Sequence, residues 1–230
     1  MKKIPQTHFF NKAFTMLELV FVIIVIGILS TFLLQETKRN MAYEAATQLV
    51  SHIRYTQHLA MVDDRFAAGD NGWFKERWTI IFNNALYTNN KQAYTLFSDG
   101  QAGNAGNPDI AEIANNPQDL SRLMTGGATG SDIRLDIRED TFIGMKELNL
   151  GEKFDIEDLV LSSACSFSGS KRISFDHLGR PLKGNLSSYS EAYENHRLIT
   201  DQCTITLTDA DGEEAVIAIE PETGYVHILN

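Results

Sequence analysis

Residues 12–34 read K-A-F-T-M-L-E-L-V-F-V-I-I-V-I-G-I-L-S-T-F-L-L, an apolar run in which Glu18 is the one acidic side chain. From Phe14 to Leu34 the run has 21 residues, about the length that a helix needs to cross a bilayer. A carboxylate within such a span costs roughly 2.5 to 3.5 kcal/mol, so Glu18 is expected to serve a function and to have an oppositely charged partner. Residues 14–34 are therefore predicted to form a transmembrane helix.

The 13 residues before this run form a short basic segment with Lys2, Lys3 and Lys12 and no acidic residue. Lysines on this side of the span predict that the N-terminus starts in the cytoplasm. An ordinary secretory signal is cut after its apolar region at a site of small residues, and residues 30–34 offer no clean site of that kind. A plain membrane anchor does not need Glu18 and would be destabilised by its charge.

The segment from Ala13 to Leu34 resembles the N-terminus of type IV pilins and type II secretion pseudopilins. The resemblance implies that residues 1–13 are a leader, that prepilin peptidase cuts between Ala13 and Phe14, and that the new N-terminus at Phe14 is methylated. It also implies that Glu18 pairs with the N-terminal amine of a neighbouring subunit during assembly. Ala13 replaces the glycine usual at the cleavage site, and Gln35 stands where major pilins usually have proline, which favours a minor subunit.

The resemblance implies a minor structural subunit of a type II secretion pseudopilus or a type IV pilus. Its expected location is the inner membrane, with one span and a periplasmic globular domain, before it enters the filament. The expected partners are prepilin peptidase, other pilin or pseudopilin subunits, the inner-membrane assembly platform and membrane lipid. Ile173-Ser174-Phe175 followed by Leu178-Gly179-Arg180 is similar to a strand and turn of H-type minor pseudopilins.

Helical character continues beyond the apolar run. Residues 35–67 contain no Gly or Pro, and apolar residues recur at helical spacing at Ala42, Ala46, Leu49, Ile53 and Ala60. Residues 69–72, Gly-Asp-Asn-Gly, favour a turn and end the pattern. Residues 35–68 are therefore predicted to be the amphipathic second half of one long helix.

The rest of the chain, residues 69–230, has the pattern of an antiparallel β-rich globular domain. Short β-branched and aromatic runs predict strands, and turn residues between the last three runs predict a C-terminal meander. The predicted strands are 78–82, 94–97, 133–138, 172–175, 203–207, 215–219 and 225–229. A long loop is predicted at 98–130, with a short helix at 109–123. The predicted fold is α+β: a pilin-like lollipop with a long N-terminal helix, transmembrane in its first half, on an antiparallel sheet.

The charge of the chain argues against nucleic-acid binding. Its formal net charge is −10, and removing the three leader lysines makes it about −13, whereas a nucleic-acid footprint is basic. The alternative function, a DNA-binding minor pilin for natural transformation, would depend on a few local basic residues: Lys171, Arg172, Arg180, Lys183 and Arg197. No nucleophile motif such as G-x-S-x-G is present, so the protein is not expected to be an enzyme.

Cys165 and Cys203 are the only cysteines. In a domain exported to an oxidising compartment, two thiols most often form a disulfide bond. The alternative is two free and partly buried thiols. Zinc-type Cys and His spacings are absent from the sequence, so no zinc site is predicted.

The loop at 98–130 is the candidate cofactor-binding site. Asp99, Asn104, Asn107 and Asp109 offer oxygen atoms of the kind that calcium binds. The phrase around Asp99 also loosely resembles the calcium loop of major pseudopilins. A solvated loop without metal is the alternative, and no other cofactor is predicted.

Overall fold

The computed structural model describes residues 15–33, 40–100, 106–128, 130 and 132–229. The chain divides into two units, residues 1–39 and residues 40–230. Each unit is described separately below.

The first unit contains one described helix, α1, at Met16–Leu33. Thr15 caps its start, because the Thr15 Oγ1 atom accepts a hydrogen bond from the Glu18 amide at 3.2 Å. With 18 residues at about 1.5 Å each, α1 is roughly 27 Å long, shorter than a hydrocarbon core of about 30 Å. None of the helices in the described ranges is long and apolar enough to cross a membrane. The predicted transmembrane helix at 14–34 and the single-pass inner-membrane location are therefore wrong.

The second unit begins with helix α2, Met41–Val62. Its N-cap is Asn40, whose backbone is not helical and whose Oδ1 atom accepts a hydrogen bond from the Tyr43 amide at 2.8 Å. A capped helix start at this position is incompatible with one continuous helix through residues 35–68. The predicted pilin-like lollipop with a long N-terminal helix is therefore wrong, although the structure is α+β.

The buried face of α2 matches the apolar pattern in the sequence. Every residue of the predicted stripe is buried, and the structure adds three more buried positions to that face: Ala45, Val50 and Thr56. This face packs mainly on strands of the C-terminal sheet and belongs to the largest core cluster among the residues that the structure describes. Burial of this stripe, rather than helix propensity alone, accounts for the stability of α2.

Within the described residues, the β structure consists of two four-stranded antiparallel sheets and one hairpin, with a short helix α3 at Leu150–Phe154 before the fifth strand. The first sheet has the order β2-β1-β6-β7, the second has the order β10-β9-β8-β5, and β3 pairs with β4. The strands are β1 Thr79–Asn83, β2 Ala93–Phe97, β3 Asn115–Asn116, β4 Asp119–Leu123, β5 Ile156–Leu161, β6 Arg172–Phe175, β7 Pro181–Lys183, β8 Cys203–Asp209, β9 Glu214–Ile219 and β10 Val226–Leu229.

The predicted C-terminal meander is confirmed. Strand β8 pairs antiparallel with β9, and β9 with β10, with Ile205 opposite Ile217 and Ile228 also opposite Ile217. Alternate residues of β8 are buried, as expected for a strand with one face on the core.

Two local predictions in the middle of the chain are wrong. Residues 133–135 form a 3₁₀ turn instead of a strand, because the Asp132 side chain accepts a hydrogen bond from the Arg134 amide and starts the turn. The helix predicted at 109–123 is replaced by the β3–β4 hairpin. Pro117 lies in the turn of this hairpin, and a proline disfavours helix both at its own position and at the preceding residue.

Candidate functional site

Helix α1 is apolar on all sides, and its side chains are exposed as far as Leu29. Met16 and Leu17 are each 83 % exposed. Twelve large apolar side chains of this helix are exposed: Met16, Leu17, Leu19, Val20, Phe21, Val22, Ile23, Ile24, Val25, Ile26, Ile28 and Leu29. An exposed apolar surface of this extent is typical of a surface that other protein covers.

Glu18 lies in the first turn of α1 and is exposed. A negative charge at this end of a helix is favoured by the helix dipole. The sequence of α1 contains no Lys, Arg or His, so the helix itself supplies no cation for Glu18. Ala13 and Phe14, the predicted processing residues, lie outside the described residues, and so does Gln35.

The structure contains the predicted disulfide bond between Cys165 and Cys203. Their Cα atoms are 5.1 Å apart, and both residues are fully buried. The bond joins the segment after β5 to the first residue of β8, so it closes the C-terminal sheet next to its core. This position indicates that the bond has a structural role.

Two of the residues predicted to bind calcium, Asp99 and Asn107, use a side-chain oxygen in another contact. Asp99 is 5 % exposed, and its Oδ2 atom accepts a hydrogen bond from the Gly106 amide at 2.6 Å. The Asn107 Oδ1 atom accepts a hydrogen bond from the Arg172 guanidinium at 3.0 Å. The Asp109 amide donates to the Glu112 carboxylate at 3.0 Å. In the parts of the chain that the structure describes, no group of three or more His, Cys, Asp or Glu side chains could hold a metal ion. Asn104 lies outside these parts.

Burial has a large effect on Asp99. It raises the pKa of the Asp99 carboxyl to about 6, and the Gly106 hydrogen bond opposes this change. Nearby charges act in both directions, since Glu112 raises the pKa and Arg172 lowers it. Ionisation of the buried Asp99 carboxyl therefore destabilises the fold, and the hydrogen bond from the Gly106 amide offsets part of this cost.

The basic residues behind the DNA-binding alternative are occupied by contacts within the domain. Lys171 and Lys183 donate hydrogen bonds from Nζ to backbone carbonyls at 2.6 and 2.9 Å. Arg180 pairs with Asp176 at 2.7 Å. Arg197 is 5 % exposed and pairs with Glu194 at 2.9 Å. Arg172 donates to Asn107, as described above, so these five residues give the DNA-binding alternative no support.

A partly buried polar network between α2 and β2 was not predicted from the sequence. The His52 Nδ1 atom lies 2.6 Å from the Tyr94 hydroxyl oxygen, and the Gln48 amide donates to the same oxygen at 2.9 Å. Burial lowers the pKa of the His52 imidazole from 6.5 to about 4 and raises the pKa of Tyr94. The available signal was the spacing of Gln48 and His52, four residues apart on one side of a helix.

A groove lies between α2 and β10, and we call it the α2/β10 groove. It has a volume of about 540 Å³. Helix α2 lines it with Tyr43, Thr47, Val50, Ser51 and Arg54, and β10 lines it with His227 and Ile228. The groove combines an apolar floor with a cationic end.

Comparisons of the chain with protein-family models, with curated proteins and with solved structures found no match.

Proposed function

We propose that the protein is a structural subunit of a type IV pilus or type II secretion pseudopilus filament, and that prepilin peptidase cleaves it between Ala13 and Phe14. The observation that carries this proposal is α1, an exposed and predominantly apolar helix whose one charged residue, Glu18, lies in its first turn. The resemblance of residues 13–34 to pilin N-termini supports the same function.

Burial of its exposed apolar side chains against a partner would stabilise α1 strongly. Burying a Val, Leu, Ile, Phe or Met side chain contributes about 1.5 to 3 kcal/mol. Even at half of the lower value, the twelve exposed apolar side chains represent on the order of 10 kcal/mol, the scale of the stability of a whole domain. A helix that is apolar all round is stable when it is buried on every side. In the proposed filament, α1 packs among the α1 helices of neighbouring subunits.

In the proposed filament, the need to pair Glu18 with a positive group fixes how far neighbouring α1 helices are shifted along each other. When α1 is buried among other helices, the Glu18 carboxylate loses water and needs a positive partner. The helix itself supplies none, so the partner lies outside α1. The proposed partner is the methylated amine of Phe14 in an adjacent subunit, which exists only after the leader is removed.

The first experiment tests the processing step by intact-mass analysis of protein from cells with an active prepilin peptidase. We expect loss of Met1–Ala13 and the mass of one added methyl group on Phe14. The same protein from cells with an inactive peptidase is the control and should keep its leader. A leader that stays attached in both strains contradicts the proposal.

The second experiment tests the assembly role of Glu18 by co-purification with the filament. Glu18→Ala and Glu18→Gln both remove the charge, so we expect at least about a tenfold loss of incorporation, which corresponds to about 1.4 kcal/mol of contact energy. Ser30→Ala is the matched control in the same helix, because the Ser30 hydroxyl donates to the Ile26 carbonyl within α1. The core clusters lie entirely in residues 42–226, so the folded domain should be unaffected. Normal incorporation of both Glu18 variants would show that this carboxylate is not the docking charge.

A further inference from the structure

The α2/β10 groove has chemistry that matches one kind of occupant. Its apolar part includes Val50, which is 8 % exposed, and Ile228, which is partly buried against the core. Its cationic part is the guanidinium of Arg54, a residue that is exposed as a whole. The Arg54 Nε and Nη2 atoms donate to the Val226 carbonyl at 3.1 and 2.6 Å, and the guanidinium lies 5.6 Å from the centre of the Tyr225 ring. These contacts are with neutral groups, so they hold the guanidinium in place and leave its charge available.

The β3–β4 hairpin carries the complementary chemistry. Leu120 is 75 % exposed, more than any other large apolar side chain of the described residues after Asn40. Asp119 precedes it, and its carboxylate is held by the amide and the hydroxyl of Ser121 at 3.0 and 2.6 Å. Arg122 is turned back onto its own domain, where it donates to the Phe142 carbonyl at 3.0 Å. The hairpin therefore presents one apolar side chain beside one ordered carboxylate, whose pKa is lowered by the Ser121 hydrogen bonds and also by the charge of Arg122.

The groove and the hairpin lie on separate sides of α2. Gln48 reaches the hairpin side, because its amide donates to the carbonyl of Glu147, which lines a pocket together with Asn116 and Asp119. Arg54 is six residues further along the helix, about 120° away around its axis. A contact between two different surfaces of the same protein is heterologous, and such contacts repeat into a closed ring or, where the rotation does not close, into an open chain of subunits.

We propose that the β3–β4 hairpin of one copy docks in the α2/β10 groove of a second copy. Leu120 packs on Val50 and Ile228, and Asp119 pairs with Arg54. The protein is acidic overall, with 30 Asp and Glu against 20 Lys and Arg, so an available cation in a groove favours an acidic partner such as this hairpin. The inference rests on the proposed filament function, for which it supplies a contact between folded domains.

The test is disulfide cross-linking in cells between two tagged, full-length copies. One copy carries Gln118→Cys at the hairpin turn, and the other carries Thr47→Cys at the groove; both positions are exposed. We expect a cross-linked dimer. Glu157→Cys in place of Thr47→Cys is the matched control, because Glu157 is also exposed but lies on β5, at the opposite edge of the sheet.

Two further variants test the chemistry of the contact. Leu120→Ser should lower the dimer yield about tenfold, as removal of a central interface side chain does, whereas Leu178→Ser, at another exposed leucine, should not change it. Arg54→Asp in the groove copy should also lower the yield, and Asp119→Arg in the hairpin copy should restore it. A dimer that forms equally with Glu157→Cys, or that is insensitive to Leu120→Ser, overturns the inference.

Filament formation is measured in the same cells, so that the two proposals are separated. Filaments without the cross-link overturn the docking contact and leave the proposed function standing. A cross-link with the expected variant pattern but without filaments supports the contact and counts against the filament function. Absence of both overturns both.

Discussion

Replacing His52 with glutamine should remove an acid-sensitive contact that holds α2 on β2. The Gln48 amide donates to the Tyr94 oxygen, so the hydroxyl proton of Tyr94 is free to be donated to the His52 Nδ1 atom. This arrangement requires a neutral His52, since a proton on Nδ1 would face the hydroxyl group. His52→Gln keeps a hydrogen-bond acceptor on the helix and removes the titratable group.

The size of the effect follows from the pKa of His52. Burial lowers this pKa from 6.5 to about 4, so the folded state favours the neutral imidazole. The stabilisation is complete above pH 6.5 and is lost as the pH falls from 6.5 towards 4, because the unfolded chain takes up the proton first. Between pH 7 and pH 5 the wild-type protein should lose about 2 kcal/mol of unfolding free energy through this one residue.

The assay is denaturant unfolding of the full chain at pH 7 and at pH 5. The loss of stability on acidification should be smaller in His52→Gln than in the wild type by about 2 kcal/mol. His58→Gln is the matched control, because His58 is exposed on the same helix. An unchanged acid response in His52→Gln, or an equal change in His58→Gln, would refute the reasoning.

Two further predictions concern other buried groups. The pKa of Asp99 is raised to about 6, so its ionised form destabilises the fold above that pH, and this penalty is relieved as the pH falls from 6 towards 3.8. Asp99→Asn should therefore raise the free energy of unfolding by about 2 kcal/mol at pH 7, measured by denaturant unfolding. An equal gain at pH 4 would be inconsistent with this cause. The disulfide closes a loop with a sequence separation of 38. A Cys165→Ala/Cys203→Ala variant should therefore lose up to about 4 kcal/mol of unfolding free energy and melt roughly 10 °C lower in calorimetry. An unchanged melting temperature would show that the bond does not stabilise the fold.

The patterns that succeed are those with a local physical cause. The stripe of Ala42, Ala46, Leu49 and Ile53 is buried because a helix places these spacings on one side, whatever surface covers it. The C-terminal meander follows from β-branched alternation and from turns at Asp211-Gly212 and Thr223-Gly224, where both glycines have positive φ. The disulfide was predictable because the chain has only two cysteines.

The patterns that fail are those in which a nearby side chain or a distant segment competes. Absence of Gly and Pro in residues 35–67 predicts a continuous helix, but Asn40 caps a new helix with its own side chain. Alternation of Ile133, Leu135 and Ile137 predicts a strand, but Asp132 starts a tight turn that still buries the last two. Side-chain hydrogen bonds to the backbone thus replace the regular structure at both places.

The sequence by itself determined that Glu18 is the one charged residue of the predominantly apolar α1, because this property belongs to the residues and not to their arrangement. It also determined which side of α2 is buried and how the last three strands pair, since neighbouring residues set both patterns. Only the tertiary structure decided that His52 meets Tyr94, 42 residues away, and that Asp99 is buried beneath Gly106. It alone brought Arg54 to Val226, 172 residues away, to form the groove. Such sites depend on contacts between distant segments, and their energies are set by the burial that those contacts create, which no local pattern encodes.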